Sequence, residues 1–371
     1  MAPRRTLTLM LCAITGASLV ATAVPSNAAP GFTTSPLRTS DSIQSTSGFI
    51  VHLKDRSASA QRVRTAHTAS AMQATSTSLR GSVDRAAKVR GAHVTESLAR
   101  ANNSMSVQVS QGLNATAAKT FASEIERNPE VESVEPVLHM TINENTGVHP
   151  AAVSSVPNDQ YWNRQWGLNS KNGIDAPGAW TTNTGSGVTV AVIDSGITKH
   201  PDLDGKVLPG YDFISDRYTA GDGNGRDLDP SDEGDWTRAG ACTRRDVPSS
   251  WHGTHVAGII GAATNNARGV AGAAPGAKIL PVRALGHCGG TDVDIADGIT
   301  WASGGEVPGV PTNHNPAKVI NLSLGGPSNY CPITYQRAID AAVSRGSTVV
   351  VAAGNEAMDV RKSTPGNCRN V

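Results

Sequence analysis

The stretch that decides the fold is Val188–Ile197, with the sequence VTVAVIDSGI. The residues before Asp194 are apolar or β-branched, which is typical of a strand buried on both faces of a parallel sheet. After it the pattern predicts a helix at His255–Ala263, a strand at Lys278–Leu285, a helix at Val293–Ala302, a strand at Val319–Leu324, a helix at Tyr335–Arg345 and a strand at Ser347–Ala353. This alternation predicts an α/β fold with a doubly wound parallel sheet. Ligands bind such sheets beyond the carboxyl ends of the strands, where Asp194 and Asn355 fall.

A smaller module precedes this region, because the composition of the chain changes near residue 145. Its pattern predicts a strand at Phe49–Leu53, helical structure within Ser57–Ala101, a strand at Met105–Val109, a helix at Ala115–Asn128 and a strand at Val131–Met140. The order of these elements predicts a small α+β module of the ferredoxin-like type.

The N-terminus has the features of an export signal. Arg4 and Arg5 precede the apolar run Leu7–Val24, and the small residues that follow predict cleavage after Ala28. A membrane anchor is the alternative, but polar residues interrupt the run, and no second apolar stretch of about 18 residues follows. The two adjacent arginines leave a twin-arginine export route open.

The charge of the chain is balanced overall and uneven locally. Its 371 residues include 32 Lys or Arg and 31 Asp or Glu, which gives no support for binding to nucleic acid or to an anionic membrane. Residues 47–100 hold nine basic and three acidic residues, whereas Asp202–Asp235, the acidic segment, holds ten acidic and three basic ones. These two patches either attract each other or form two separate solvated faces.

Four cysteines remain after removal of the leader: Cys242, Cys288, Cys331 and Cys368. An even number in an exported chain favours disulfides, and none of the spacings forms a CxxC pair, which disfavours zinc. Four cysteines allow three pairings, so the spacing alone leaves the connectivity open.

Three short motifs place reactive side chains at element ends, and each motif alone has a structural alternative. Asp194 ends a strand before Ser-Gly, where an Asp often caps a turn. His252 begins HGTHVAG, and two histidines three apart without a third ligand do not favour zinc. Asn355 follows Ala-Ala-Gly at a strand end, where Asn is commonly a turn residue.

Taken together, these motifs carry a family resemblance. The blocks are Val192–Ile197 (VIDSGI), His252–Gly258 (HGTHVAG), Asn321–Gly326 (NLSLGG) and Ala353–Asn355 (AGN). In this order they resemble the blocks of the subtilases, the subtilisin-like serine proteases, in which Asp also precedes His. The resemblance covers Gln160 to the end of the chain. The acidic segment and the four cysteines look most like extracellular subtilases of Gram-negative bacteria.

The resemblance implies roles for particular residues. Asp194 would orient the imidazole, His252 would act as general base and then as general acid, and Asn355 would donate a hydrogen bond to the oxyanion. The substrate-binding residues that it implies are Ser323, Leu324, Gly325, Ala352 and Gly354, with Gly289 across the cleft. An extended peptide would bind there by strand addition.

The family's nucleophilic serine lies in a Gly-Thr-Ser-Met-Ala block, and the 16 residues after Asn355 contain no such block. The nearby serines also lack that context: Ser323, Ser328, Ser344, Ser347 and Ser363. We therefore assign no nucleophile in this chain. We expect the peptidase domain to be incomplete at the C-terminus and the chain as given to lack proteolytic turnover.

The resemblance also divides the chain. Residues 48 to 140 are similar to the inhibitor-type propeptide that precedes the protease in this family. The expected organisation is a signal peptide at 1–28, a linker at 29–47, a propeptide at 48–141, a linker with the processing site at 142–158 and a subtilisin-like peptidase domain at 159–371. Such a propeptide would act as a folding aid and as an intramolecular inhibitor.

Calcium is the ligand that the resemblance implies. Asp202 and Asn266 match positions where subtilases hold this ion, together with nearby carbonyls, and hard oxygen ligands suit it. The acidic run Asp222, Asp227, Asp229, Asp232 and Asp235 either holds a second ion or is a solvated loop, since it lacks the EF-hand spacing. The family resemblance also favours the disulfides Cys242–Cys288 and Cys331–Cys368.

Two functions remain at this point. The first is the zymogen of a secreted serine endopeptidase, exported through the periplasm to the extracellular medium and acting on polypeptide substrates. The second is a non-catalytic pseudoprotease that binds peptides without cutting them. An in-frame continuation into a Gly-Thr-Ser-Met-Ala block favours the first, and a natural stop codon after Val371 favours the second.

Overall fold

The computed structural model describes residues 45–66, 71–142 and 156–371. All of them belong to one compact unit, Thr39–Val371. The signal peptide expected at 1–28 lies outside the described residues, as do most of the linkers expected at 29–47 and 142–158. No helix in the described part of the chain is long and apolar enough to cross a membrane.

Thirteen strands and ten α-helices make up the described residues. The strands are β1 (Thr46–Leu53), β2 (Val94–Arg100), β3 (Ser104–Leu113), β4 (Val131–Pro136), β5 (His139–Ile142), β6 (Thr189–Asp194), β7 (Tyr211–Asp212), β8 (Lys278–Arg283), β9 (Gly290–Thr291), β10 (Val319–Leu322), β11 (Leu324–Pro327), β12 (Thr348–Val351) and β13 (Ser363–Thr364). The helices are α1 (Ala58–Arg64), α2 (Ala71–Ala74), α3 (Thr77–Lys88), α4 (Ala115–Glu126), α5 (Trp166–Asn169), α6 (Ala176–Trp180), α7 (Arg217–Ala220), α8 (His252–Gly261), α9 (Asp292–Ala302) and α10 (Ile333–Ser344).

Residues 45–142 form what we call the N-terminal layer. Its antiparallel sheet has the order β2-β3-β1-β4, and the side chains of Ser76 and Asn114 cap the N-termini of α3 and α4. Phe49 of β1 and Phe121 of α4 are fully buried with their ring centroids 4.4 Å apart. This apolar contact joins the sheet to its helices, and the layer is α+β, as predicted.

The helical spacing noted within Ser57–Ala101 predicts the wrong structure beyond residue 88. Val94–Arg100 forms the edge strand β2, which pairs with β3 through registers such as Leu98 with Ser106. Its pairing with β3 therefore overrides the helical spacing that precedes it. The single strand predicted over Val131–Met140 is also wrong, because the structure has two strands there. These are β4 and β5, which belong to different sheets.

Residues 156–371, which we call the protease region after the family that they resemble, contain a parallel sheet of order β12-β10-β6-β8-β7. Successive residues of the central strand β6 point to opposite faces. Val190 and Val192 pack with Val256 of α8, whereas Ala191 and Ile193 lie in the cluster that contains α9 and α10. Helices therefore cover both faces, which confirms the doubly wound α/β prediction.

Two predicted elements in this region need correction. α8 begins at His252 rather than His255, which places the imidazole in the first turn. The strand predicted over Val319–Leu324 breaks at Ser323, where β10 ends and β11 leaves the parallel sheet. β11 instead joins a small sheet of order β13-β11-β5-β9.

This small sheet combines both regions, because β5 of the N-terminal layer lies between β11 and β9 of the protease region. β5 is antiparallel to both neighbours, with Leu324 opposite Ile142 and Met140 opposite Gly290. The N-terminal layer is therefore attached to the protease region by main-chain pairing on both sides of one strand.

Charge also contributes to the attachment, but not by ion pairs between the two patches that composition singled out. Arg100 pairs with Asp294 and Asp297 of α9, where Arg226 pairs with the same two carboxylates. Within the described ranges, no basic residue of 47–100 forms an ion pair with an acidic residue of the acidic segment. The attraction between the two patches is therefore not observed.

Candidate active site

The structure brings Asp194 and His252 together at the carboxyl end of β6. His252 Nδ1 lies 2.8 Å from Asp194 Oδ1 and 3.0 Å from Oδ2. Asp194 is fully buried, and its Oδ1 also accepts a hydrogen bond from the Ser195 amide at 2.7 Å. A carboxylate held in this way keeps the proton on Nδ1 and leaves the Nε2 position of the ring to exchange protons with a substrate or nucleophile.

Two glycines permit this close approach. A Cβ atom on Gly253 would lie 2.2 Å from the carbonyl oxygen of Gly196. Gly196 itself has φ of 108°, and a Cβ there would lie 2.7 Å from the Pro230 carbonyl oxygen. The turn after Asp194 therefore packs against the helix of His252 at Gly253 and against Pro230 at Gly196, and a side chain at either glycine would force these backbones apart.

Asn355 lies beyond the same edge of the sheet. Asn321 of β10 is opposite Val192 of β6 and Val350 of β12. Asp194, the last residue of β6, and Ala352, which directly follows β12, therefore lie at the same level. Asn355 follows three residues later, exposed, with its main-chain amide donating to Glu356 Oε2 at 2.9 Å. The parallel register thus places Asn355 beyond the same edge of the sheet as Asp194.

A groove beside this pair is filled by β5. Leu324 and Gly325 pair with Ile142 and Thr141 on one side of the strand. On the other side, Gly289 has φ of 93°, and a Cβ there would lie 2.2 Å from the Met140 carbonyl oxygen. Met140 is buried in the main apolar cluster. The groove therefore holds an extended segment by main-chain pairing and buries one of its side chains.

The remaining sequence-predicted residues lie around this groove without pairing with β5. Ser323 Oγ accepts a hydrogen bond from the Asn321 side chain at 2.9 Å. The Ala352 amide donates to the Leu322 carbonyl at 3.0 Å, and Gly354 has φ of 93° in the turn that leads to Asn355. These residues lie just beyond the carboxyl ends of β10 and β12.

The comparison with protein families decides the identity of this arrangement. Residues 185–371 match the family described as the Subtilase family of the peptidase S8 type. The chain belongs to the subtilase family. The Asp194–His252 pair and the groove both lie within the protease region, and the α/β sheet agrees with the fold of its solved relatives.

Curated relatives of this subtilase are named as extracellular proteases of Gram-negative bacteria. The chain is 52% identical over 271 residues to an extracellular protease of Xanthomonas campestris pv. campestris, covering 71% of this chain and 44% of the relative. It is 47% identical over 254 residues to an extracellular basic protease of Dichelobacter nodosus, covering 67% of this chain and 40% of the relative. The chain thus spans less than half the length of these two relatives.

Solved structures show the same fold. A protease of Pseudoalteromonas arctica is 53% identical, with a TM-score of 0.57 over 58% of this chain and 64% of that one. Fervidolysin of Fervidobacterium pennivorans, a keratinolytic enzyme related to subtilisin, is 24% identical, with a TM-score of 0.56 over 85% of this chain and 41% of that one. The second likeness shows the fold alone, and its coverage exceeds residues 156–371.

The calcium-binding residues expected in this subtilase lie together. Asn266 Nδ2 donates to Asp202 Oδ1 at 2.7 Å, and the Val270 amide donates to Asp202 Oδ2 at 2.8 Å. A Cβ on Gly269 would lie 2.1 Å from Asp202 Oδ2, so the loop closes tightly over this buried carboxylate. One carboxylate and one amide oxygen suit Ca²⁺ by their chemistry. In the described ranges, no three His, Cys, Asp or Glu side chains group as metal ligands.

The acidic run suggested for a second ion is dispersed in this subtilase. Asp222 faces Arg283 at 3.5 Å, Asp227 and Asp229 accept hydrogen bonds within their own loop, and Asp232 and Asp235 accept from serines. These carboxylates have separate partners and do not converge.

Two disulfides join Cys242 to Cys288 and Cys331 to Cys368, with Cα atoms 5.8 and 5.0 Å apart. This is the pairing that the family resemblance implied. The first bridge links the chain after the acidic segment to the residue before Gly289, and therefore to one side of the groove. The second links the start of α10 to the chain after β13.

Sequence reasoning missed the residues that attach the N-terminal layer. Glu135 accepts hydrogen bonds from His52 Nε2 at 2.9 Å and from the amides of Ile333 and Thr334, the first residues of α10. Burial acts to raise the pKa of Glu135, but His52 and Thr334 outweigh it and hold the pKa below its ordinary value. A buried carboxylate at a helix N-terminus has no sequence motif, and the sequence does not distinguish Glu135 from the exposed Glu132 of the same strand.

The N-terminus of α9 provides a second contact that the sequence did not reveal. The Leu138 amide donates to Asp292 Oδ1 at 3.0 Å, and the Asp292 amide donates to the Leu138 carbonyl at 2.9 Å. Burial and the charge of Glu135 raise the pKa of Asp292 well above its ordinary value. Further along α9, burial would raise the pKa of Asp294, but Arg100 and Arg226 lower it to about 2.

Proposed function

We propose that the protein is the zymogen of a secreted serine endopeptidase, which hydrolyses peptide bonds of polypeptide substrates. The observation that supports this most directly is the hydrogen-bonded Asp194–His252 pair next to a groove that holds an extended strand. Membership of the subtilase family and the extracellular relatives support the reaction class and the location.

In this proposal, His252 accepts the proton of a serine hydroxyl as that oxygen attacks the peptide carbonyl. Asp194 orients the imidazole and stabilises its cation, and His252 then donates the proton to the leaving amine. The Asn355 side chain would stabilise the oxyanion, a contact worth about 3 to 4 kcal/mol in reactions of this type. The nucleophilic serine is not assigned among the residues of this chain.

The substrate would bind as β5 does. A peptide between β11 and β9 gains main-chain hydrogen bonds on both sides, with Leu324, Gly325 and Gly289 as its neighbours. Ser323, Ala352 and Gly354 would line the path from this groove toward Asn355. Because main-chain pairing requires an extended segment, unfolded or flexible polypeptides are the favoured substrates.

The N-terminal layer would be the propeptide, spanning residues 48–141. Its strand β5 occupies the groove, so substrate cannot enter until this strand leaves. Glu135 and Arg100, which contact α10 and α9, would hold the layer in place and assist the folding of the protease region. The likeness of fervidolysin over 85% of this chain supports a shared fold for this layer.

Calcium would act as a structural ion at the loop of Asp202 and Asn266. These residues supply a carboxylate and an amide oxygen, and the other ligands would be main-chain carbonyls. The ion would hold the loop after α8, which contains Asn266, next to Asp202 in the segment that follows β6. It would take no part in proton transfer.

The protein expressed from its complete gene tests the proposal. We expect casein hydrolysis that a serine-directed phosphonate inhibits and that His252→Ala abolishes. His255→Ala is the matched control, since His255 is exposed on the same helix and is expected to retain activity. Peptide binding without hydrolysis by a folded chain whose N-terminal layer has been removed would instead support the pseudoprotease.

A further inference from the structure

The helix that carries His252 begins without a cap from its own N-cap residue. Trp251 occupies that position in a left-handed conformation, with φ of 54°, and provides no side-chain acceptor. The first amides of a helix have no partner within it. Here the His252 amide donates to Ser250 Oγ at 3.2 Å, and the Gly253 amide donates to Ser195 Oγ at 3.0 Å. Two serine hydroxyls therefore hold the start of α8.

Each hydroxyl is in turn held by a carboxylate of the acidic segment. Ser195 Oγ donates to Asp232 Oδ2 at 2.7 Å. Ser250 Oγ donates to Asp235 Oδ2 at 2.8 Å, and the Ser250 amide donates to Asp235 Oδ1 at 2.6 Å. Hydrogen bonds to an ionised acceptor are shorter and stronger than neutral ones, so these contacts orient both hydroxyls.

The acidic segment is anchored where these contacts form. The Ile197 amide donates to the Pro230 carbonyl at 3.0 Å, and the Asp232 amide donates to the Ile197 carbonyl at 3.1 Å. Asp232 is buried, and its Oδ1 accepts from the Gly234 amide at 2.8 Å. The carboxylate is therefore a fixed point next to the turn after Asp194.

We propose that Asp232 and Asp235 are positioning residues that act through Ser195 and Ser250 to fix His252 against Asp194. Ser195 follows Asp194 directly, and its hydroxyl contacts the residue that follows His252, so a single side chain bridges both members of the pair. This inference rests on the proposed catalytic function. In this role the two carboxylates orient the hydroxyls that hold His252 in place, and they do not contact the reacting atoms.

The spectroscopic test uses this chain with ring-¹⁵N-labelled histidine. A proton shared between His252 Nδ1 and a buried carboxylate gives a resonance downfield of the amide region, which His252→Ala identifies by its absence. We expect Ser250→Ala and Ser195→Ala to shift or broaden this resonance. Ser250→Thr, which keeps the hydroxyl, should preserve it.

A matched charge control separates positioning from the loss of negative charge. Asp229→Asn removes one exposed carboxylate of the same acidic segment without touching either serine, and should leave the resonance unchanged. Asp235→Asn keeps the side-chain volume and should behave like Ser250→Ala. It serves as the second variant if the amide spectrum shows that Ser250→Ala does not fold. An unchanged resonance in the folded Ala and Asn variants overturns the inference.

Kinetics of the protein from the complete gene provide the second test. Because a misplacement of about 1 Å can cost about 100-fold in rate, we expect Ser250→Ala to lower kcat about 10- to 100-fold with little change in KM. Ser250→Thr should recover most of that loss. A rise in KM at constant kcat would contradict a positioning role.

The two readouts distinguish failure of the inference from failure of the proposed function. If the protein hydrolyses casein but the serine variants change neither the resonance nor kcat, the positioning role is wrong and the protease stands. If the resonance responds as expected but a folded complete protein shows no hydrolysis, the positioning role stands and the catalytic proposal is wrong.

Discussion

The N-terminal layer has two contact surfaces of opposite character. Inside the layer, Phe49, Leu79 and Phe121 are fully buried among other apolar side chains. Its surface against the protease region buries Met140 and, unlike the interior of the layer, a set of charges, with Arg100 between Asp294 and Asp297 and with Glu135 at the start of α10. Apolar burial is nearly independent of pH, whereas buried charges depend strongly on it and on their partners. We infer that the layer can leave the groove as a folded unit.

The largest effect should come from the apolar core of the layer. Phe121→Ala leaves a cavity next to Phe49 and should lower the free energy of unfolding of the layer by about 3 to 5 kcal/mol. Hydrogen exchange of the β1 and β3 amides measures this, with β6 amides as the internal reference. The exposed Thr120 on the same helix provides the control, as Thr120→Ala. Equal losses of unfolding free energy in Phe121→Ala and Thr120→Ala would contradict an apolar core around Phe121.

A somewhat smaller effect is expected from the charged surface. Arg100→Ala leaves Asp294 and Asp297 with Arg226 alone and should weaken the attachment of the layer by about 3 kcal/mol. The exchange of β5 amides should accelerate, while that of β1 amides stays unchanged. Arg85→Ala removes an exposed arginine of the same layer and should affect neither strand. Parallel acceleration in β1 and β5 would show that the layer does not detach as a unit.

Acid should weaken the attachment before it unfolds the layer. Asp294 has its pKa lowered to about 2 from its ordinary value of 3.8. A lowered folded-state pKa contributes stability above the unfolded pKa and loses it as the pH falls through the folded one. The part of this lowering that comes from Arg100 contributes to the attachment, and it is lost between roughly pH 4 and 2.

The lowered pKa of Glu135 adds to this loss in the same direction, beginning below its ordinary value of 4.5. The opening of β5, followed by hydrogen exchange as a function of pH, should show the combined loss. Glu135→Gln should make the opening of β5 depend less steeply on pH. A pH-independent opening of β5 would exclude both carboxylates as determinants of the attachment.

The smallest effect has the opposite sign and concerns Asp292. Its raised pKa contributes stability below its unfolded pKa that is lost as the pH rises through the folded value. Asp292→Asn keeps an oxygen acceptor for the Leu138 amide without a charge. It should raise the free energy of opening of β5 at neutral pH by about 1 kcal/mol. The exposed Asp204 provides the control, as Asp204→Asn. Faster opening in Asp292→Asn would show that the charge itself is favourable.

Much of the fold followed from local patterns in the sequence. The β-branched run before Asp194 and the alternating segments after it predicted the parallel sheet, because both patterns depend on neighbouring residues only. The strand β2 was not predicted because it depends on pairing with a distant segment rather than on a local pattern. Val94–Arg100 is defined by its ladder with β3, and pairing across a sheet leaves a weak local signal.

The candidate site divides in the same way. Asp194 and His252 lie in motifs of glycines and small residues, which occur where backbones must approach closely. The sequence motifs alone therefore identified both residues as candidates. Asp232, Asp235 and Ser250 have no such motif. Their role depends on which hydroxyl each carboxylate contacts, and the composition of the acidic segment suggested only a cation site or a solvated loop.

The sequence by itself determined the family, the α/β architecture, the Asp194–His252 candidates and the even set of cysteines, since each is encoded in short contiguous patterns. The tertiary structure alone decided that β5 fills the groove, that Glu135 and Asp292 lie at the start of two helices, and that two carboxylates hold the helix of His252. These features join residues as far as 199 positions apart. Their energies arise from burial and partners that exist only after the chain has folded.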